Sequence, residues 1–228
     1  HVKARNASGE SDWSSTWTFT TQSETSASPY SWTDAAEMSV GRYLHTATSL
    51  SSGKVLVVGG LREGGTRVAS AELYDPTANL WSGAGVMAEG RYEHTATLLP
   101  SGRVLVAGGE CIGATASTEL YDPIANSWIE ASSMSVGRYR HTATLMPSGK
   151  VLVIGGHSSS DVLASAELYD PATNSWTEVH NMSVARTRHT ATLLSSGSVL
   201  VAGGYNQIGE PLTSVELYDP VTNSWTSG

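Results

Sequence analysis

The fold of this chain is decided by GRYEHTATLLPSGRVLVAGG, the stretch from Gly90 to Gly109, because three further copies of it occur within the 228 residues. The other copies begin at Gly41, Gly137 and Ala185, and each contains His-Thr-Ala-Thr and ends with Gly-Gly. Steps of 49, 47 and 48 residues separate the four histidines, which are His45, His94, His141 and His189. A repeat of this length predicts an array of equal structural units.

A second fixed motif, Glu-Leu-Tyr-Asp-Pro, follows each Gly-Gly pair, and a Trp stands nine residues after its Glu. The distance from this Glu to the next His is always 22 residues, and that from the His to the second Gly is always 15. All variation in length therefore falls between Gly-Gly and Glu. The residues that we interpret as the structural frame are Arg42, His45, Gly59, Gly60, Tyr74, Trp81, Arg91, His94, Gly108, Gly109, Tyr121, Trp128, Arg138, His141, Gly155, Gly156, Tyr169, Trp176, Arg186, His189, Gly203, Gly204, Tyr218 and Trp225.

Each repeat has the pattern of four short β-strands. The β-branched apolar runs before Gly-Gly, such as 103–107, are too short for helices, and their unbroken apolarity predicts strands that are covered on both faces. Ser-Gly turns precede these runs, and Asp-Pro ends the third strand because Pro has no N–H for a ladder. The repeated Trp, expected to be a large buried aromatic, lies in the fourth strand. Four antiparallel strands in about 48 residues are typical of a β-propeller blade, in which neighbours stack face to face.

The recurring Gly-Arg-x-x-His-Thr-Ala-Thr, Gly-Gly, Glu-Leu-Tyr-Asp-Pro and Trp pattern resembles the kelch repeat, in the bacterial form related to the central domain of galactose oxidase. The resemblance covers about 31–228. It implies an all-β fold, a kelch-type propeller with four four-stranded blades in an incomplete ring. The predicted repeats span about 31–82, 83–129, 130–177 and 178–228.

The start of the chain has a different pattern. Residues 1–22 alternate with period two around a turn, and they resemble the C-terminal hairpin of a fibronectin type III domain; residues 23–30 are a linker. Trp32 stands 13 residues before His45, the spacing that each repeated Trp has to the next His. We expect Trp32 to lie in a fourth strand whose three partner strands lie beyond Gly228, so that the array is an open arc.

Charge and composition exclude several partners. Thirteen Lys and Arg against 21 Asp and Glu give a net charge of −8, the wrong sign for binding nucleic acid phosphates or an anionic membrane. No apolar run approaches the roughly 20 residues that cross a bilayer. Cys111, the single cysteine, cannot form an internal disulfide. Few lysines, many Ser and Thr residues and the fibronectin-like neighbour favour a secreted or cell-surface location.

The repeated His, Arg and Glu side chains are interpreted as structural, because a catalytic site is built once whereas each repeat supplies one of each. Buried Arg–carboxylate pairing is the expected role of the last two. We predict no catalytic residue, no metal and no cofactor. The acids of these pairs are Glu72, Glu119, Glu167 and Glu216.

The kelch resemblance brings one enzymatic alternative, a galactose-oxidase-like copper radical oxidase. That chemistry needs two His and two Tyr as copper ligands, with one Tyr cross-linked to a Cys. The resemblance implies that one ligand Tyr would lie just before the His, where this chain has Leu44, Glu93, Arg140 and Arg188. The oxidase therefore requires ligands outside this sequence. A third alternative is an architectural spacer of a secreted or surface protein.

The variable segments after Gly-Gly are the candidate binding loops, because loops on a rigid scaffold usually carry binding residues. Strand direction alternates, so these loops emerge at the same end as the links between blades. We predict non-catalytic recognition of a protein or glycan through this end, by a chain that is monomeric when its ring is complete. The candidate binding residues are Arg62, Glu63, Arg67, Glu110, His157, Asp161, Tyr205, Asn206 and Gln207.

Overall fold

The computed structural model describes Arg5–Asn6, Gly9–Glu10 and residues 34–227. The chain divides into two compact units, His1–Ala35 and Ala36–Gly228. In the first unit, strands β1 (Arg5–Asn6) and β2 (Gly9–Glu10) pair antiparallel. The remainder of the segment that resembles a fibronectin type III domain, the linker and Trp32 lie outside the described residues.

The second unit contains four four-stranded antiparallel sheets, in which strands adjacent in sequence are adjacent in space. The structure confirms the predicted all-β fold of four blades. Blade 1 comprises β3 (Thr46–Ser49), β4 (Val55–Val58), β5 (Ser70–Asp75) and β6 (Leu80–Val86). Blade 2 comprises β7 (Thr95–Leu98), β8 (Val104–Ala107), β9 (Thr118–Asp122) and β10 (Ser127–Ala131). Blade 3 comprises β11 (Thr142–Leu145), β12 (Val151–Ile154), β13 (Ala166–Asp170) and β14 (Ser175–Val179). Blade 4 comprises β15 (Thr190–Leu193), β16 (Val199–Ala202), β17 (Val215–Asp219) and β18 (Ser224–Ser227).

The fourth strand of a blade runs past the repeat boundary that its Trp suggested. Strands β6, β10 and β14 end at Val86, Ala131 and Val179, beyond the predicted boundaries at 82, 129 and 177. The ladder continues because these residues pair with the start of the third strand, as in Ala131↔Thr118. In blade 1 a register shift between Ser70 and Glu72 adds a β-bulge to this ladder.

The core lies between consecutive blades. The first strands β3, β7, β11 and β15 contact one another in that order, and an apolar cluster fills each of the three gaps between blades. Every residue of β8 and β12 is buried, as expected for strands covered on both faces. Strand β16 differs, because Leu200 and Ala202 are half-buried and no described residue packs against their side of blade 4.

The repeated aromatic pair divides its burial unequally. Tyr and Trp face each other across the third and fourth strands, with ring centroids 5.0–5.3 Å apart in all four blades. Tyr121 is fully buried, whereas Trp128 is half-buried and donates its indole N–H to the Ala84 carbonyl of the preceding blade at 2.8 Å. The Trp is thus less buried than the sequence predicts, because the fourth strand lies at the outer edge of its sheet.

The first Gly of the Gly-Gly pair in blades 1, 2 and 3 permits the next blade to approach closely. At Gly59 (φ 65°) an added Cβ would lie 2.6 Å from the Arg91 carbonyl oxygen and 2.8 Å from His94 Cε1 of blade 2. Gly53, in the Ser-Gly turn of the same blade, has a similar φ of 82° but no atom within 4 Å of an added Cβ. Glycine thus serves backbone conformation alone at Gly53, and both conformation and packing at Gly59.

We expect Gly59→Ala to be more destabilising than Gly53→Ala by about 1–3 kcal/mol, the usual cost of overpacking. Both variants place alanine in the left-handed region, so that strain is common to the two. Urea denaturation of the two variants measures the difference. Equal midpoints would show that the blades can separate at Gly59 without cost.

Candidate functional site

Buried Arg–Glu pairs hold each blade to the link that precedes it. Arg138 donates to the carbonyls of Gly155 and Ser165, to Ser165 Oγ, and to Glu167 Oε1 at 2.7 Å. The side chains of Arg138 and Glu167 are 0% and 1% exposed. Because these groups are enclosed, they are not available to a ligand. The corresponding pairs are Arg42–Glu72, Arg91–Glu119 and Arg186–Glu216.

The repeated histidines join neighbouring blades. Nε2 of His94, His141 and His189 lies 2.9–3.0 Å from the Thr Oγ1 that begins the first strand of the preceding blade. Burial, and next the charge of the nearby Arg, lower the pKa of His94 to about 3 and that of His189 to about 4. The same causes hold the pKa of His141 well below its ordinary value. Across residues 34–227, no group of three or more His, Cys, Asp or Glu side chains is arranged to hold a metal ion.

The loops after Gly-Gly and the links between blades lie at one end of the sheets. Isolated antiparallel bridges connect Tyr43 with Leu61, Tyr92 with Glu110, Tyr139 with His157 and Thr187 with Tyr205. Each bridge joins the link before a repeated His to the residue directly after Gly-Gly. We call this end the loop face; it comprises residues 41–44, 61–67, 90–93, 110–114, 137–140, 157–162, 185–188 and 205–211.

A row of four varied residues runs along the inner edge of the loop face. These residues precede the repeated histidines, and all have left-handed φ values of 52–56°. Hydrogen bonds join them in sequence: the N–H groups of the second, third and fourth donate to the carbonyl of the previous one at 3.0–3.1 Å. We call them the inner row: Leu44, Glu93, Arg140 and Arg188.

Charges in the inner row are unequally paired. Arg140 Nε donates to Glu93 Oε2 at 2.6 Å, whereas Arg188 Nη2 lies 3.7 Å from Glu93 Oε1. Burial opposes the charge on Arg140, but the hydrogen bond to Glu93 and the charge of Glu93 outweigh it and raise the pKa of Arg140. Arg140 also lies over the Tyr139 ring, 5.1 Å from its centroid. Arg188, with 52% of its side chain exposed, is the cation with more freedom to meet a ligand.

A hollow of about 290 Å³ lies beside Arg188, between the loops of blades 3 and 4. Gln207 joins the two loops beside the hollow, because Gln207 Oε1 accepts the N–H of Val162 and Gln207 Nε2 donates to the Ser160 carbonyl. Tyr205 is 43% exposed at its rim. The lining residues are Arg140, His157, Val162, Thr187, Arg188, Tyr205, Asn206, Gln207 and Gly209.

Four of the sequence-predicted binding residues, His157, Tyr205, Asn206 and Gln207, thus line one hollow. Arg62 and Glu63 line a separate open hollow of about 500 Å³ on blade 1, together with Tyr43.

The remaining three line neither hollow. Arg67 is exposed and bridges to Leu61. Glu110 lies beside Tyr92, where burial and then a hydrogen bond to Glu110 raise the Tyr92 pKa to about 12. Asp161 closes its own loop, because its N–H donates to Ser158 Oγ and its carbonyl accepts the Ser158 N–H.

Sequence reasoning missed Arg140 and Arg188 as binding candidates. The kelch resemblance implies a copper-ligand Tyr at this position in the oxidase, and none of the four residues there is Tyr. The available signal was variation, since this position holds Leu, Glu, Arg and Arg inside an otherwise constant frame.

The opposite end of the blades holds a larger groove, of about 560 Å³, between blades 1 and 2. It is lined by the Ser-Gly turns at Ser52 and Gly102 and by the Asp-Pro turn at Asp122. These turns recur in every repeat, whereas the hollow beside Arg188 combines residues that do not recur. The non-recurring surface is therefore the stronger candidate for selective binding.

Stacked four-stranded blades with this loop arrangement define a β-propeller of the kelch type. Residues 44–227 match the family model described as the KLHDC2/KLHL20/DRC7 Kelch-repeats domain, and the chain belongs to this kelch-repeat family. A search of curated proteins gave no match. Within the part of the chain that the structure describes, no helix has the length and apolarity needed to cross a membrane.

Proposed function

We propose that this chain is a non-catalytic recognition scaffold that binds a segment of another protein on its loop face, in the hollow between blades 3 and 4. Membership of the kelch-repeat family supports a role in protein interaction. The buried Arg–Glu pairs and the His–Thr contacts support a scaffold role for the constant residues, since they join parts of the propeller to each other.

The observation that carries the proposal is the exposed guanidinium of Arg188 at the rim of a preformed hollow. Arg140 forms the closer ion pair with Glu93 and also lies within the field of Glu110, so Arg188, at 3.7 Å from Glu93, is the guanidinium left to meet an acidic group of a partner. Tyr205 and Ile208, which are 43% and 77% exposed, add apolar surface on the loop of blade 4. A partner segment with an acidic residue next to an apolar one complements this arrangement.

Arg188→Ala tests this function. Random peptides displayed on phage are selected on the 228-residue protein, and we expect the selected peptides to be rich in Asp and Glu. The substitution should weaken their binding by about thirtyfold or more, the loss typical of a central charged contact. Because Arg188 is half-exposed, the free energy of unfolding should change by no more than about 0.5 kcal/mol.

Arg103→Ala is the matched control. Arg103 is a similarly exposed arginine at the opposite end of the blades, paired with Asp122 at 3.0 Å. Its loss should leave peptide binding unchanged. Peptides that bind Arg188→Ala as tightly as the parent, but not Arg103→Ala, would place recognition at the opposite end. A glycan array probed with the same proteins tests the glycan alternative, in which binding depends on Tyr205 and Asn206 and not on charge.

A further inference from the structure

A side chain from blade 4 binds main-chain groups of the blade 3 loop. Gln207 Oε1 accepts the N–H of Val162, and Gln207 Nε2 donates to the Ser160 carbonyl at 3.2 Å. Gln207 is exposed, and it lines the same hollow as Val162 and Arg188. The two main-chain groups therefore lie beside the hollow in which we place the partner segment.

The N–H of Val162 points away from its own loop. Within that loop, the Ser158 N–H donates to the Asp161 carbonyl at 2.8 Å. The Leu163 N–H donates to the Gly156 carbonyl, also at 2.8 Å. Successive residues of an antiparallel pair direct their main-chain groups to alternate sides, so Val162, which lies between these two bonds, directs its N–H outward. The loop thus presents an edge of the kind that an added strand can pair with.

The loops do not need this contact in order to fold. The residues three positions after the second Gly, where blade 4 has Gln207, are Glu63, Ile112 and Ser159 in the other blades. The N–H groups of Arg67 and Ala114, which correspond to that of Val162, have no backbone acceptor within residues 34–227. The loops of blades 1 and 2 therefore keep the same bridge without a glutamine at that position.

The blade 4 loop also keeps its shape independently of the Gln207 side chain. Asn206 Oδ1 accepts the N–H groups of Ile208 and Glu210, at 3.1 and 2.9 Å. The Asn206 N–H donates to the Glu210 carbonyl at 3.0 Å, and its carbonyl accepts the Gly209 N–H at 3.1 Å. Release of Gln207 would leave all of these bonds intact, so the contact between the two loops can open without unfolding either loop.

An extended peptide offers the same pair of groups as the glutamine amide. The Gln207 side chain presents one acceptor and one donor. In a parallel strand pair, the N–H and the carbonyl of one residue bond to the two residues that flank the residue opposite. Ser160 and Val162 flank Asp161 in this way, and their carbonyl and N–H are the two groups that such a residue would bind.

We propose that the main chain of the partner segment pairs with Ser160 and Val162, and that Gln207 holds this site until the partner displaces it. The inference rests on the proposed function, because the acidic residue of the same segment would meet Arg188. Main-chain pairing would contribute affinity with little dependence on the side chain at that position, and Arg188 would select the acidic residue. The partner is therefore extended where it crosses the blade 3 loop.

Gln207→Ala tests the displacement. This variant should bind the acidic peptides selected on the 228-residue protein about fivefold more tightly than the parent, because the peptide no longer has to replace the two bonds of the glutamine. Ile112→Ala is the matched control, since Ile112 holds the same loop position in blade 2, is 97% exposed and does not line the hollow. Its affinity should equal that of the parent. Fluorescence anisotropy of labelled peptides measures both values.

The glutamine amide and the peptide each give a second readout. The side-chain N–H signals of Gln207 in the NMR spectrum, identified by their loss in Gln207→Ala, should move on peptide addition to the positions of a solvated glutamine amide. In a series of peptides that each carry one N-methylated residue, one position should lose about tenfold in affinity, because that residue no longer donates to the Ser160 carbonyl.

The outcomes separate this inference from the proposed function. If Gln207→Ala binds no more tightly than the parent while Arg188→Ala binds more weakly, the displacement is overturned and the function stands. Gln207 signals that stay in place when the protein is saturated with peptide would lead to the same conclusion. Peptide binding that does not depend on Arg188, or no peptide binding at all, would overturn the proposed function and this inference together.

Discussion

Replacing Arg138 with Met should lower the free energy of unfolding by about 3–5 kcal/mol, the usual cost of removing one partner of a buried ion pair. Arg138 makes four hydrogen bonds, and its loss would leave two carbonyls and the Glu167 carboxylate facing an apolar side chain. Burial lowers the pKa of Arg138, but the charge and hydrogen bond of Glu167 oppose this shift, and the guanidinium stays charged at neutral pH because arginine is effectively always protonated in proteins. Urea denaturation monitored by Trp fluorescence measures the change.

Blade 3 supplies a control for this prediction. Lys150 and Asp170 also form an ion pair, at 3.0 Å, but their side chains are 39% and 25% exposed. Lys150→Met should therefore cost no more than about 1 kcal/mol. In a double-mutant cycle, Arg138→Met and Glu167→Gln should be less than additive, because the second substitution removes the charge that the first left unpaired. Equal losses for Arg138→Met and Lys150→Met would show that water enters the blade interior.

Much of this fold was predictable because each short motif that determines a turn or a strand occurs four times in the sequence. Gly-Gly, Ser-Gly and Asp-Pro each require a particular backbone, and they mark where the first three strands of a blade end. The burial of Trp128 was not predictable in the same way. Its position along the sequence does not reveal that the fourth strand is the outer one, where the indole covers a neighbour and remains half-exposed.

The candidate site was predictable only in part. Variation after Gly-Gly pointed to His157, Tyr205, Asn206 and Gln207, which the fold does bring to one hollow. Arg140 and Arg188 come from separate repeats, 48 residues apart in sequence, and only the stacking of first strands places them side by side. The relation to galactose oxidase, the fibronectin type III segment and the secreted or cell-surface location stay predictions from the sequence.

The buried histidines also make the free energy of unfolding depend on pH, because burial disfavours their charged form. His94, His141 and His189 have folded-state pKa values below the unfolded value of 6.5, so the unfolded chain binds more protons than the folded chain under mildly acidic conditions. Their contribution is fully present above about pH 6.5 and is lost as the pH falls towards 4. Burial raises the pKa values of Glu72 and Glu216, but hydrogen bonds outweigh burial and hold both pKa values below 4.5. The donors are Ser39 and Arg42 for Glu72, and Ser183 and Arg186 for Glu216. The contribution of these two carboxylates is therefore lost at a lower pH than that of the histidines.

Between pH 7 and pH 5 we expect the free energy of unfolding to fall by about 2 kcal/mol for each of the three histidines, or about 6 kcal/mol together. A loss of that size approaches the whole stability of an ordinary domain. Urea denaturation at intervals between these pH values gives the slope. His141→Gln should reduce that slope by about a third, whereas His180→Gln, at an exposed position, should leave it unchanged. As a test that needs no variant, the imidazole NMR signals of His94, His141 and His189, assigned among the seven histidines, should shift little between pH 8 and pH 5 in the folded protein. Titration of these three signals near pH 6.5 would show that the rings are solvated and that the His–Thr contacts do not hold the blades together.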